Sequence, residues 1–149
     1  MDTVTYPSSD VIRVLNDRFV PLKLKVEENA TLAEEFHVIW TPAFLCLDAN
    51  RRVWVRTYGY LPPEEFIPFL WLTEGRYRLG GKQYAEATKI FEDLVLQWSK
   101  SHAAAEALYW EGVAYYRLGR TGSLMQSWQR LKEEYPQSIW HLKSSFIFQ

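Results

Sequence analysis

The 149-residue chain contains one cysteine, Cys46. A lone thiol cannot close an internal disulfide, form a C-x-x-C redox pair or complete a four-cysteine zinc site. Apolar runs are short. Ala43-Phe44-Leu45-Cys46-Leu47 falls far below the ~20 residues of a membrane-spanning helix, so no membrane span is expected. No charged-then-apolar leader opens the sequence, and a cytoplasmic location is the expectation for the chain as written, the compartment staying open if a segment precedes Met1. There is no excess of either charge, with 17 Lys and Arg against 18 Asp and Glu. Nothing there neutralises a phosphate backbone, which argues against nucleic acid as a partner. The three histidines, His37, His102 and His141, form no H-x-x-x-H or H-E-x-x-H pattern, so no metal is expected. Gly80-Gly81-Lys82 lacks the earlier glycine and the Ser/Thr of a phosphate loop. G-x-S-x-G and G-x-G-x-x-G are missing too, and no cofactor is expected. The acid pairs Glu27-Glu28, Glu34-Glu35, Glu64-Glu65 and Glu133-Glu134 are sequence neighbours, which do not face each other on a helix. They read as solvated faces rather than paired catalytic acids.

What the chain does have is a soluble globular composition, 48% apolar and 23% charged, with 7 Trp, 9 Tyr and 8 Phe. Aromatic side chains bring large buried area per residue. They suit close helix packing or a binding groove.

Up to about Leu70 the pattern alternates helix and strand. Ser8 or Ser9 caps a helix with Val11, Ile12, Val14 and Leu15 at helical spacing, broken at Asn16-Asp17. In Phe19 to Val26, apolar Val20, Leu22, Leu24 and Val26 alternate with Pro21, Lys23 and Lys25, predicting a half-buried strand. Asn29 to Phe36 reads as a short helix. Ala43 to Leu47 reads as a strand covered on both faces, with Cys46 as a small core residue. A hairpin turn at 48–51 and a returning strand from Val53 to Thr57 follow. Gly59 ends that strand, and a helix starts at Pro62-Pro63-Glu64-Glu65. Helices on a small mixed sheet make an α/β layer arrangement.

From about Trp71 the strand signals vanish and an internal repeat with an offset of 37 appears. Gly75 matches Gly112, Glu74 matches Glu111, Phe91 aligns with Trp128 and Leu94 with Leu131. Trp98 aligns with Tyr135 and Ser101 with Ser138. A period of this size indicates stacked helical hairpins. The fold class expected is therefore α/β plus all-α.

Leu108 to Pro136 resembles a tetratricopeptide repeat. Gly112 sits where two helices cross, Tyr115 follows three residues on, and Gly119 is at the turn. Trp128 is the large residue of the second helix, Pro136 ends it, and Leu124 replaces the usual alanine. The earlier repeat resembles the family best over Tyr84-Ala85-Glu86-Ala87 to Phe91. Arg78 stands there in place of tyrosine, and its turn glycines, Gly80-Gly81, come early. The resemblance implies repeats over about 68–101 and 105–138, with a capping helix from Trp140 to Phe148. It also implies a groove lined by the first helix of each hairpin, here Glu106, Tyr109, Val113, Tyr116 and Arg117.

The first half resembles the thioredoxin superfamily. Trp40-Thr41-Pro42 immediately precedes a strand, where that family places a cis-proline. The hairpin, Gly59 and an acidic helix start follow. The opening, Met1 to Tyr6 with Val11 and Phe19-Val20-Pro21, is similar to the text directly after the C-x-x-C in one branch. The resemblance implies a thioredoxin-like domain over 1–70 that lacks its first core strand and C-x-x-C, followed by tetratricopeptide-like repeats over 71–149. It also implies peptide contact at Trp40, Thr41 and Pro42. The gap fits either a start assigned at an internal Met or a sheet completed by rearrangement or by a second copy of the chain.

Disulfide exchange needs an attacking and a resolving thiol, and this chain has one. The expectation is a redox-inactive protein-binding module with protein or peptide clients. The alternatives are a thiol–disulfide oxidoreductase, if a C-x-x-C lies upstream in a longer parent chain, and a structural self-association module.

Overall fold

The computed structural model describes residues 1–148 and divides the chain into two compact units, Met1–Phe66 and Ile67 onward. Among the described residues it is mostly helical, with seven α-helices and a single two-stranded sheet.

The first unit opens with α1 (Ser9–Arg18). Val11 and Val14 on one face are buried, while Ile12 is exposed. Asn16-Asp17 does not break the helix. Both side chains are exposed, so they are solvated rather than competing for the backbone. The helix ends where Phe19 turns extended, its N–H still donating to the Leu15 carbonyl at 2.9 Å.

The strand expected over Phe19 to Val26 does not form. Residues 19–25 have no regular structure, and a short 3-10 turn follows at Val26–Glu28. Alternation specifies a strand only where a neighbour supplies backbone partners, and among the described residues no strand is paired with this segment. The sheet is therefore antiparallel rather than mixed. It consists of β1 (Ala43–Leu47) and β2 (Val53–Tyr58), paired from Ala43 opposite Tyr58 to Leu47 opposite Val53, after α2 (Ala30–Glu35). With only two strands, β1 is not covered on both faces. Ala43 to Cys46 are half-buried and Leu47 is exposed.

Asp48 organises the hairpin. Its Oδ1 accepts from the Asn50 and Arg52 N–H groups at 2.9 and 3.0 Å, and its Oδ2 from Trp54 Nε1 at 3.1 Å. The Arg52 N–H above all, then the Trp54 and Asn50 donors, hold the Asp48 carboxyl below its ordinary pKa. The unit's core is small and aromatic. The rings of Phe44 and Tyr6 lie 4.9 and 6.1 Å from that of Phe66, and Thr5 Oγ1 donates to the Leu61 carbonyl at 2.7 Å.

Helix α3 (Pro63–Gly80) carries acids Glu64 and Glu65 in its first turn, where the dipole favours them, and Pro68 inside it. Proline has no N–H, so the rung back to Glu64 is missing. Then come α4 (Tyr84–Gln97), α5 (His102–Arg117) and α6 (Thr121–Glu134). The expected capping helix is shorter than predicted. It is α7 (Ile139–Ser144), capped by Ser138 Oγ accepting from the His141 N–H at 3.0 Å, and it gives way to a 3-10 turn at Ser145–Phe148.

Glycine sets the spacing within each hairpin. A Cβ on Gly75 would stand 2.4 Å from the Phe91 ring, and one on Gly112 would stand 2.4 Å from Trp128 Nε1. These are the positions that the repeat aligns. Phe91, Leu94, Leu108 and Leu131 are fully buried around this contact.

The turns inside the two hairpins, α3–α4 and α5–α6, close with the same bond. Gln83 N–H donates to the Arg78 carbonyl and Arg120 N–H to the Tyr115 carbonyl, both at 2.9 Å. The left-handed residue between them is Gly119 (φ 74°) in the later turn and Lys82 (φ 63°) in the earlier one, not Gly80 or Gly81. A left-handed conformation costs a non-glycine residue about 1–2 kcal/mol. Lys82→Gly is therefore expected to raise stability by about 1 kcal/mol and Gly119→Ala to lower it by a similar amount, read as shifts in the urea midpoint. Gly112→Ala, which drives a methyl into Trp128, is expected to cost about 1–3 kcal/mol in the same measurement.

Candidate functional site

The predicted groove residues all lie on α5, but the structure does not leave them as one open surface. Glu106 is engaged from two sides. Its Oε1 accepts from Trp110 Nε1 at 2.9 Å and pairs with the Arg76 guanidinium at 3.3 Å, which also lies 5.6 Å from the Trp110 ring centre. Tyr109 is half-buried. Its ring stacks on Trp128 at 5.3 Å and 10°, and the Trp110 and Trp140 rings each lie 5.2 Å away. Trp140 of α7 thus covers part of the face that the sequence assigned to a ligand. Val113 is half-buried.

Tyr116 and Arg117 are the open end. Tyr116 is 64% exposed. Arg117 is exposed and donates from Nη2 to the Tyr84 hydroxyl at 2.7 Å, its guanidinium 5.1 Å from the Tyr84 ring. A planar cation held on an aromatic ring beside an exposed tyrosine is the residue chemistry enriched at binding hot spots. Sequence reasoning missed Tyr84, Arg76, Trp110 and Trp140. The repeat offset held a clue to Arg76, which aligns with Val113.

In the first unit, Trp40 is 69% exposed, Thr41 is exposed and Pro42 half-buried. The Thr41–Pro42 peptide bond is cis, the conformation that the sequence resemblance implies. The Pro42 carbonyl accepts from the Gly59 N–H at 2.9 Å, which ties the loop to the far end of β2. Cys46 is half-buried, and burial pushes its thiol pKa up, away from the thiolate a nucleophile needs. Among the described residues no cluster of His, Cys, Asp or Glu is placed to hold a metal ion, and no helix is long and apolar enough to cross a membrane.

A buried acid lies on the other side of α5. Glu111 is 5% exposed, and among the described residues its Oε2 has no hydrogen-bond partner. Its Oε1 is 2.9 Å from Ser127 Oγ, which is also 3.0 Å from the Ser123 carbonyl. The serine has one proton for two acceptors. A protonated Glu111 resolves this by donating to Ser127 Oγ while the serine donates to Ser123. The neighbouring charges give Glu111 little compensation. Glu92 accepts from the Tyr115 hydroxyl, and Arg130 is held by Glu134 at 2.8 Å. Desolvation, the largest effect, and the Glu92 charge outweigh the Ser127 bond and Arg130, raising the Glu111 pKa from 4.5 to about 7. Desolvation and then the bond to Glu92 push the Tyr115 phenol up to about 12.

The family model for the tetratricopeptide repeat matches residues 106–138, so the chain carries such a repeat across α5 and α6. Neither the curated proteins nor the solved structures compared with the chain give a match.

The raised acid makes stability depend on pH. The folded form holds the Glu111 proton more tightly than the unfolded form. Its contribution is full below about pH 4.5 and lost as pH rises through about 7. The loss amounts to about 3 kcal/mol at most. Urea midpoints of the chain are expected to fall across this window. Those of Glu111→Gln, which keeps an acceptor and donor for Ser127 without ionising, are expected to show a flatter slope and a higher midpoint at pH 8.

Proposed function

We propose that this chain is a protein-binding module that contacts extended peptide segments of client proteins and carries out no redox chemistry itself. The observation that carries the reading is the tetratricopeptide repeat over 106–138, whose first helix presents Tyr116 and Arg117 to solvent with Arg117 seated on Tyr84. Repeats of this kind generally mediate protein–protein contact. The open part of the surface would be the Tyr84–Tyr116–Arg117 corner, with Glu106, Tyr109 and Val113 as its half-buried floor.

We further infer that the first unit is a thioredoxin-like fragment over about 1–70, joined through α3 to two tetratricopeptide-like hairpins over 71–149. Support comes from Trp40-Thr41-Pro42 directly before β1 and from the hairpin followed by Gly59 and an acidic helix start. The exposed Trp40-Thr41-Pro42 loop would be a second peptide contact. A single half-buried thiol with a raised pKa does not support disulfide exchange by this chain.

The test is selection of peptides from a random displayed library on the immobilised full chain, followed by affinity measurement by fluorescence anisotropy. The combined change Tyr116→Ala and Arg117→Ala is expected to weaken the selected peptides by about tenfold or more with an unchanged urea midpoint, as for loss of a hot spot. Trp40→Ala tests the loop in the same way. Enrichment of no peptide, or binding indifferent to all of these changes, overturns the reading.

A further inference from the structure

The segment that fails to form a strand has the makings of one. Val20, Leu22 and Leu24 are 97%, 79% and 47% exposed, an unusual fate for three apolar residues at alternate positions. Among the described residues, no backbone group of residues 20–24 takes part in a backbone hydrogen bond. The chain is already extended on either side, at Phe19 (φ −138°, ψ 167°) and Lys25 (φ −88°, ψ 131°).

The two edges of this segment differ. In extended backbone, alternate residues direct their N–H and carbonyl groups to the same edge. The edge of Pro21, Lys23 and Lys25 is damaged. Proline has no N–H, and the Lys25 carbonyl already accepts from the Glu28 N–H at 3.2 Å and Asn29 Nδ2 at 2.9 Å. The edge of Val20, Leu22 and Leu24 keeps every donor and acceptor. The two faces differ as well, one carrying the three apolar side chains and the other Lys23 and Lys25.

We propose that Val20–Lys25 is a docking strand, pairing through its Val20, Leu22 and Leu24 edge with an extended partner segment that alternates apolar and acidic residues. The partner's apolar side chains continue the face of Val20, Leu22 and Leu24. Its carboxylates continue the face of Lys23 and Lys25. Both lysines already take carboxylates, from Asp2 at 2.6 Å and Glu28 at 3.0 Å. Those pairs are solvent-exposed and readily exchanged. A second copy of the chain would bring the same two lysines and, within residues 20–25, no acid. Strand addition of this kind takes its affinity from main-chain bonds and its specificity from alternate side chains. This site is separate from the helical corner proposed above and stands or falls independently of it.

The test measures amide hydrogen exchange of the isotope-labelled full chain with two short synthetic peptides, one alternating valine and glutamate, the other valine and lysine. The glutamate peptide is expected to slow exchange at Leu22 and Leu24 by about tenfold or more, and the lysine peptide to leave it unchanged. Leu22→Pro, at an exposed position, removes the central donor and is expected to abolish protection at Leu24 while α5 amides stay protected. Joint Lys23→Glu and Lys25→Glu changes are expected to reverse the peptide preference. Three results would overturn the proposal. They are no protection by the glutamate peptide at millimolar concentration, equal protection by both peptides, and protection that appears without peptide as protein concentration rises.

Discussion

Two helices can lie as close as α5 and α6 do only if one of them gives up a side chain at the crossing. Gly112 does this for Trp128, as Gly75 does for Phe91. The indole that fills the space beside Gly112 does more than pack. Its Nε1–H donates to the Tyr109 carbonyl at 3.1 Å, and its ring takes the Tyr109 ring in a stack. That one contact orders the sequence of events around it. With Trp128 fixed, Tyr109 is turned toward Trp110 and Trp140. With Trp140 covering Tyr109, the open side of α5 is shortened to its C-terminal end.

The proposed binding surface is therefore what the aromatic packing leaves over. Phe146 also meets the Trp128 ring, at 5.7 Å, so residues after Pro136 pack on α6. Arg76, Glu106 and Trp110 satisfy one another, whereas among the described residues the Arg117 guanidinium has only a neutral phenol and its ring as partners. A cation without a carboxylate partner retains its attraction for an incoming acidic or carbonyl group. That difference between two arginines on one set of hairpins is what makes the Tyr84–Arg117 corner the stronger candidate.

The helical unit was legible because its signals are local and redundant. Glycine, a large aromatic and leucine recur at one offset, and each constraint acts within a hairpin. Even there, Lys82 was hidden. A left-handed turn residue is found by its place in the closing bonds, and Gly80-Gly81 beside it carried the more familiar signal. The partial covering of Tyr109 was hidden for a different reason. Its neighbour Trp140 lies 31 positions on by numbering alone, and periodicity carries no information about what a later element covers. In the first unit, Val20, Leu22 and Leu24 illustrate the limit of alternation. The pattern records a preference for a sheet, and pairing depends on a neighbour that the pattern does not name. The hairpin of β1 and β2 was readable because its partner is the adjacent segment.

Glu111 gives folding of this unit a chemical stoichiometry. Near neutral pH the unfolded carboxyl is ionised, while the folded one, with a pKa of about 7, is protonated in about half of the molecules. Folding then draws about half a proton from solution. The heat of folding measured near neutrality includes the ionisation heat of whatever buffer supplies it. Two buffers at one pH but with different ionisation enthalpies would report different folding enthalpies for the same chain, although the free energy is unchanged.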